Sequence, residues 1–80
     1  MSNLKKYQKV FIDSFLIDEK KIKLNTLKYQ DIQEWDSIGH MTLISNLEDQ
    51  FKINVDTDDI VDFSSFKKGI KILEKYKVKF

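Results

Sequence analysis

Apolar residues recur along much of the chain at steps of three and four, the spacing of one face of an α-helix. The first such stripe consists of Leu4, Tyr7, Phe11 and Phe15, with Val10 and Ile12 beside it. Ser2 or Asn3 precedes the stripe and has a side chain suited to an N-cap. We therefore predict a first helix over residues 3–16, with its aromatic side chains in the core.

A second stripe predicts a helix over residues 37–51. Its apolar positions are Ile38, Met41, Ile44, Leu47 and Phe51, and we expect them to face the core. Asp36 is a favourable N-cap, which places Ser37 at the first helical position. Gly39 lies inside the first turn, where glycine costs about 1 kcal/mol relative to alanine. We expect another part of the chain to approach closely at this glycine.

Two further helices are predicted after a short extended link at residues 53–55. A brief third helix begins after Asp56 or Thr57, with its acidic residues in the first turn, where the helix dipole favours them. A last helix covers residues 66–77, with Ser65 as its cap. Its inward stripe is Phe66, Ile70, Leu73 and Tyr76. Gly69 interrupts that stripe and is expected to admit a close neighbour or an acyl chain.

Residues 17–36 lack a clean period and predict a long first loop, with a helical turn at residues 31–34. Leu27, Ile32 and Trp35 are the expected anchors of this loop. Trp35 fits a contact with a partner protein equally well, because tryptophan is enriched at protein interfaces.

The predicted fold is all-α, a small four-helix bundle with three main helices, one short helix and a long first loop. A chain of 80 residues makes a single domain over residues 1–80. It has no cysteine and one histidine, so disulfides and a thiolate metal site are excluded. No apolar run reaches membrane-spanning length and no signal-peptide pattern opens the chain, so we expect a cytoplasmic monomer.

The net charge of +1 hides three blocks of opposite sign. Residues 1–30 carry +4, residues 31–62 carry −8 and residues 63–80 carry +5. The acidic middle block predicts a surface that attracts basic partners and assists their encounter.

The segment Asp36-Ser37-Ile38-Gly39, followed by an amphipathic helix that ends in Glu48-Asp49-Gln50-Phe51, resembles the acyl carrier protein family. The resemblance extends over most of the chain, through residues 53–56 and through residues 63–66 at the start of the last helix. It implies that Ser37 carries a covalent 4'-phosphopantetheine arm, derived from coenzyme A, on which acyl groups ride as thioesters. It also implies that Asp36 helps a phosphopantetheinyl transferase to engage the serine. The protein would then be a non-catalytic carrier, whose partners are that transferase and the enzymes that load and process the acyl group.

The same resemblance assigns two further sets of residues. Those expected to contact partner enzymes are Ile38, His40, Met41, Glu48, Asp49, Asp58 and Asp59. Those expected to line an acyl pocket, if cargo is buried, are Leu47, Val55, Ile60, Phe63, Gly69 and Leu73. Gly39, Thr42 and Lys52 depart from the acidic or glycine positions of many fatty-acid carriers, which favours a dedicated carrier over the housekeeping one.

The same residues allow other interpretations. Ser37, His40 and Asp36 suggest a hydrolase triad, but a nucleophile elbow, an oxyanion hole and a substrate pocket are not visible, so we expect an exposed His40 that contacts a partner. The aspartates near residue 58 lack the spacing and glycine of a calcium loop. The main alternative is a helical interaction module without a prosthetic group, and an aminoacyl carrier is a further one. The acidic second helix argues against nucleic-acid binding.

Overall fold

The computed structural model describes residues 2–80, and this part of the chain contains four α-helices. They are α1 (Asn3–Phe15), α2 (Ser37–Phe51), α3 (Thr57–Asp62) and α4 (Phe66–Glu74), with one 3₁₀ turn at Leu24–Thr26. No β-strand occurs within residues 2–80, which confirms the all-α class, the four helices and the long first loop. None of the helices in this range combines the length and the apolarity that a bilayer crossing requires.

Helix α1 follows its predicted pattern closely. The Ser2 hydroxyl accepts a hydrogen bond from the Lys5 N–H at 3.2 Å and caps the helix. Its buried side chains are Tyr7, Val10, Phe11 and Phe15, whereas Leu4 lies at the exposed rim. The helix ends at Phe15, one residue earlier than predicted.

Phe11 is the centre of an aromatic core. Its ring packs edge-to-face against those of Tyr7, Trp35 and Phe66, at centroid distances of 5.0, 5.4 and 5.1 Å, and stacks on Phe63 at 6.2 Å. Such pairs contribute about 0.5–1.5 kcal/mol each beyond the area they bury. These contacts tie α1 to the loop before α2 and to the segment around the start of α4.

The first loop is held by three buried side chains, namely the predicted anchors Leu27 and Trp35 and also Ile17, while the third predicted anchor, Ile32, is half-buried. Trp35 is fully buried, which makes it an anchor and not a surface contact. The 3₁₀ turn of the loop lies at Leu24–Thr26, whereas the predicted turn at residues 31–34 is not helical and is a single hydrogen-bonded turn, closed by the Trp35 N–H to Ile32 O at 3.1 Å. Just after the 3₁₀ turn, Leu27 O accepts a hydrogen bond from the N–H of Phe66, the first residue of α4, at 2.9 Å. This bond holds the loop against the start of α4.

Helix α2 buries Leu43, Ile44 and Leu47 and packs the half-buried Phe51 against the core, so the predicted stripe is correct from Ile44 to the end of the helix. Ile38 and Met41 face outward, against prediction. The reason is that the inner side of the first turn is occupied by the half-buried His40 against Trp35, which turns Ile38 and Met41 to the surface.

Helix α4 begins as predicted, with the Ser65 hydroxyl accepting from the Lys68 N–H at 3.0 Å. It ends at Glu74 and not at residue 77. Lys77 takes a left-handed conformation (φ 68°), and the Val78 N–H turns back to Leu73 O at 3.2 Å. The buried face of the helix is Phe66, Gly69, Ile72 and Leu73. Of the predicted inward positions, Ile70 and Tyr76 are half-buried.

Candidate functional site

The start of α2 is fixed by Asp36, as predicted. Its carboxylate accepts the Gly39 N–H at 2.8 Å, and its backbone carbonyl accepts the His40 N–H at 2.8 Å. Ser37 is therefore the first residue of the helix, and its side chain is exposed. Negative charge is stabilised at this end of a helix by the dipole and by the first N–H groups.

Gly39 is the point at which the first loop meets α2. A Cβ atom on Gly39 would collide with the backbone carbonyl oxygen of Glu34. The close approach predicted from this glycine is therefore confirmed, and the neighbour is the loop. The residue after Glu34 is the buried Trp35, so the loop backbone is held in place against the first turn of α2.

His40 is half-buried and bonded through both ring nitrogens, so the predicted exposed position is wrong. The Trp35 indole N–H donates to Nδ1 at 2.9 Å, and Nε2 lies 2.8 Å from Ile60 O. An indole N–H is only a donor, so Nδ1 accepts and Nε2 carries the proton that is donated to Ile60. This neutral ring joins the loop, α2 and α3 beside Ser37.

These bonds also decide against the hydrolase interpretation. The neighbour of the Ser37 hydroxyl is the Tyr29 hydroxyl, at 3.4 Å, while the His40 ring is engaged elsewhere. A serine nucleophile requires a base within hydrogen-bond reach. Within residues 2–80, Ser37 has no such base.

A groove with a volume of about 380 Å³ opens directly beside Ser37. Its walls come from the start of α2, the end of α3 and the first loop. The lining residues are Tyr29, Ser37, His40, Met41, Ile60, Val61, Phe63 and Ser64. Apart from the hydroxyl groups and the imidazole, this lining is apolar.

Two exposed apolar side chains, Met41 and Val61, line the same groove, and a third, Ile38, directly follows Ser37 in the chain. Ile38 is 80%, Met41 54% and Val61 76% exposed. Single exposed apolar residues are common, but a group of them around one concave feature is typical of an interaction surface. Ile38 and Met41 were predicted to contact partners, whereas Val61 is an exposed residue of the groove that the sequence analysis did not single out. Helix α3 has six residues, which are too few for a periodic pattern to show which of its side chains face outward.

The four predicted acidic contacts divide into two pairs. Asp49 and Asp58 are exposed and available at the surface. Glu48 is half-buried and accepts the Val55 N–H at 2.9 Å, so it supports the turn after α2. The prediction that Asp59 is a surface contact is wrong.

Asp59 is buried and has two partners from the end of α4. The Lys75 ammonium and the Tyr76 hydroxyl both donate to its carboxylate. The hydrogen bond from Lys75, followed by that from Tyr76, lowers the pKa of Asp59 from its ordinary value. This carboxylate ties α3 to α4 and so fixes one wall of the groove.

The residues predicted for an acyl pocket do not form one continuous cavity. Ile60 and Phe63 line the groove. The other four lie in the packed core of the bundle: Leu47, Val55, Gly69 and Leu73. The neighbours predicted at Gly69 are the side chains of Phe63 and Tyr7, and a Cβ atom there would collide with both.

No group of three or more His, Cys, Asp or Glu side chains within the described range could hold a metal ion.

Comparisons with protein-family models, with curated proteins and with solved structures find no significant match to the chain.

Proposed function

We propose that this protein is an acyl carrier, in which Ser37 bears a 4'-phosphopantetheine arm and acyl intermediates are held on the arm as thioesters. One observation carries the proposal above the others: the Ser37 hydroxyl is exposed at the first residue of α2 and borders an apolar groove. The resemblance of residues 36–51 to the carrier family supports the same assignment.

The residues around Ser37 fit a phosphodiester. The first turn of α2 presents N–H groups and the positive end of the helix dipole to an anion. The like charge of Asp36 is partly compensated, because its carboxylate accepts the Gly39 N–H. The Tyr29 hydroxyl, 3.4 Å from Ser37 Oγ, can donate to an oxygen placed there. When bound, the arm supplies the thiol that holds the acyl group.

The protein's own part in this function is presentation, not catalysis. Since Ser37 has no base of its own within the described range, its modification requires a separate phosphopantetheinyl transferase, which Asp36 helps to engage. The exposed Ile38 and Met41 flank the serine and offer apolar contacts to that enzyme and to acyl-loading and acyl-processing enzymes. Asp49 and Asp58 add exposed negative charge for their basic residues. We place the protein in a dedicated biosynthetic pathway for fatty acids or other acyl products.

The test is intact mass after incubation with coenzyme A and a transferase of broad specificity. Wild type and Ser64→Ala are expected to gain one phosphopantetheine, and Ser37→Ala none, with unchanged helical circular dichroism. Ser64 is the matched control, because it is an exposed serine that lines the same groove. Loading of Ser37→Ala would contradict the proposal.

The second candidate is a helical interaction module without a prosthetic group. It is favoured by the exposed apolar group of Ile38, Met41 and Val61, which would serve a protein partner equally well. The same experiment separates the two functions. An intact, folded wild type that gains no mass would favour the interaction module and leave Asp36 as an ordinary helix cap.

A further inference from the structure

The groove beside Ser37 ends at Phe63. This ring lines the groove on one side, yet it is almost fully buried and belongs to the core on the other. It stacks on Phe11 at a centroid distance of 6.2 Å and meets the His40 ring edge-to-face at 6.0 Å. Phe63 therefore stands between the groove and the interior of the bundle.

The space behind Phe63 is already filled. Gly69 leaves a notch in α4, and the tip of the Phe63 ring and the Tyr7 hydroxyl both occupy it. Tyr7 is held there by the hydrogen bond from its hydroxyl to Phe66 O at 2.7 Å. Protein cores are packed as densely as organic crystals, so an alkyl chain cannot enter this space unless one of these side chains leaves it.

We infer that Phe63 limits the cargo of this carrier to a short acyl chain, which lies in the groove while any longer tail stays in solvent. The inference rests on the proposed attachment at Ser37 and adds the size class of the cargo. Phe63 acts here as a specificity-determining residue, because the same ring lines the groove and fills the Gly69 notch behind it.

The groove volume sets the expected length. A methylene occupies about the space of a water molecule, roughly 30 Å³. The groove measures about 380 Å³ and is open to solvent along one side. If a bound chain fills about half of it, the limit is roughly six carbon atoms, with the carbonyl carbon counted.

The experiment loads wild type from acetyl-, butyryl-, hexanoyl-, octanoyl- and decanoyl-coenzyme A and measures the thermal unfolding midpoint of each product. Each methylene that becomes fully buried is expected to raise the midpoint by about 3–6 °C. We expect a rise up to the hexanoyl form and equal midpoints for the hexanoyl, octanoyl and decanoyl forms. A continued rise to decanoyl would overturn the inference, as would equal midpoints for all five forms.

Phe63→Leu tests the role of the ring directly, because it shortens the side chain and opens the way to the notch. For this variant, we expect the unfolding midpoint, measured relative to that of its own acetyl form, to continue to rise in the octanoyl and decanoyl forms. Phe66→Leu is the matched control, because Phe66 is as buried as Phe63 and does not line the groove. The midpoints of this control should stop rising at the hexanoyl form, as in wild type. The same plateau in Phe63→Leu as in wild type would overturn the inference.

The outcomes also separate this inference from the proposed function. A wild type that gains no arm from any donor contradicts the carrier function and, with it, the limit on cargo. A wild type that loads but shows no plateau contradicts the limit alone. The wild-type series tests the limit on chain length even if Phe63→Leu does not fold.

Discussion

Gly39→Ala is expected to destabilise the protein, although alanine is the better helix former. Inside a helix, alanine is ordinarily favoured over glycine by about 1 kcal/mol. Here the added Cβ would collide with the carbonyl oxygen of Glu34 and lie 3.1 Å from its carbonyl carbon. Both are backbone atoms, and the adjacent Trp35 is fully buried, so the loop cannot move away without disturbing the core.

The expected magnitude follows from two opposed effects. Overpacking a tight contact costs about 1–3 kcal/mol, and a collision with backbone belongs at the upper end of that range. After subtraction of the gain in helix propensity, the free energy of unfolding should fall by about 1–2 kcal/mol. For a domain of this size the midpoint should then fall by roughly 5–15 °C.

The assay is urea and thermal unfolding followed by circular dichroism. Ser45→Ala is the matched control, because Ser45 lies exposed on the same helix and its replacement changes little except helix propensity. The control should be stabilised by a few tenths of a kcal/mol. If Gly39→Ala is stabilised as well, by about 1 kcal/mol, the contact between the loop and α2 is wrong.

Three further substitutions test other contacts. His40→Ala leaves the buried Trp35 indole N–H without an acceptor, so the free energy of unfolding in urea should fall by about 1–3 kcal/mol. A fall of less than about 0.5 kcal/mol would contradict the assigned bond. Lys52→Gly should raise the unfolding free energy by about 1 kcal/mol, because Lys52 ends α2 in a left-handed conformation that glycine adopts without strain, and a lower midpoint would refute this. The hydrogen bond from Lys75 lowers the pKa of Asp59, so its stabilisation is present above the ordinary value of 3.8 and is lost as the pH falls through the lowered pKa. Asp59→Asn should therefore be less stable than wild type at neutral pH, and this difference should shrink as the pH falls below 3.8. A difference that stays constant as the pH falls would contradict the pairing.

Much of the fold could be predicted from the sequence, because the determinants of helix ends are local. Ser2, Asp36 and Ser65 each precede an apolar stripe and each cap a helix with their side chain, as predicted. Gly39 was informative because a glycine in a first turn has a cost that requires a reason, and Glu34 supplies it.

The errors concern residues whose partners are distant in the chain or belong to another element. His40 was predicted to be exposed, and its bond to Ile60 joins residues 20 positions apart. The buried state of Asp59 depends on Lys75 and Tyr76, and no local pattern around the aspartates of α3 indicates a partner in α4. The acyl-pocket residues were expected from the family resemblance alone, and that resemblance does not indicate that the side chains of Phe63 and Tyr7 fill the space at Gly69.

The central claim is that Ser37 is the attachment point of a carrier arm. Fragmentation mass spectrometry of the loaded wild-type protein tests it most directly, because it assigns the added group to a residue. We expect one phosphopantetheine, located on Ser37 alone. A group on Ser64 or Ser45, or no added group on a folded protein, would contradict it.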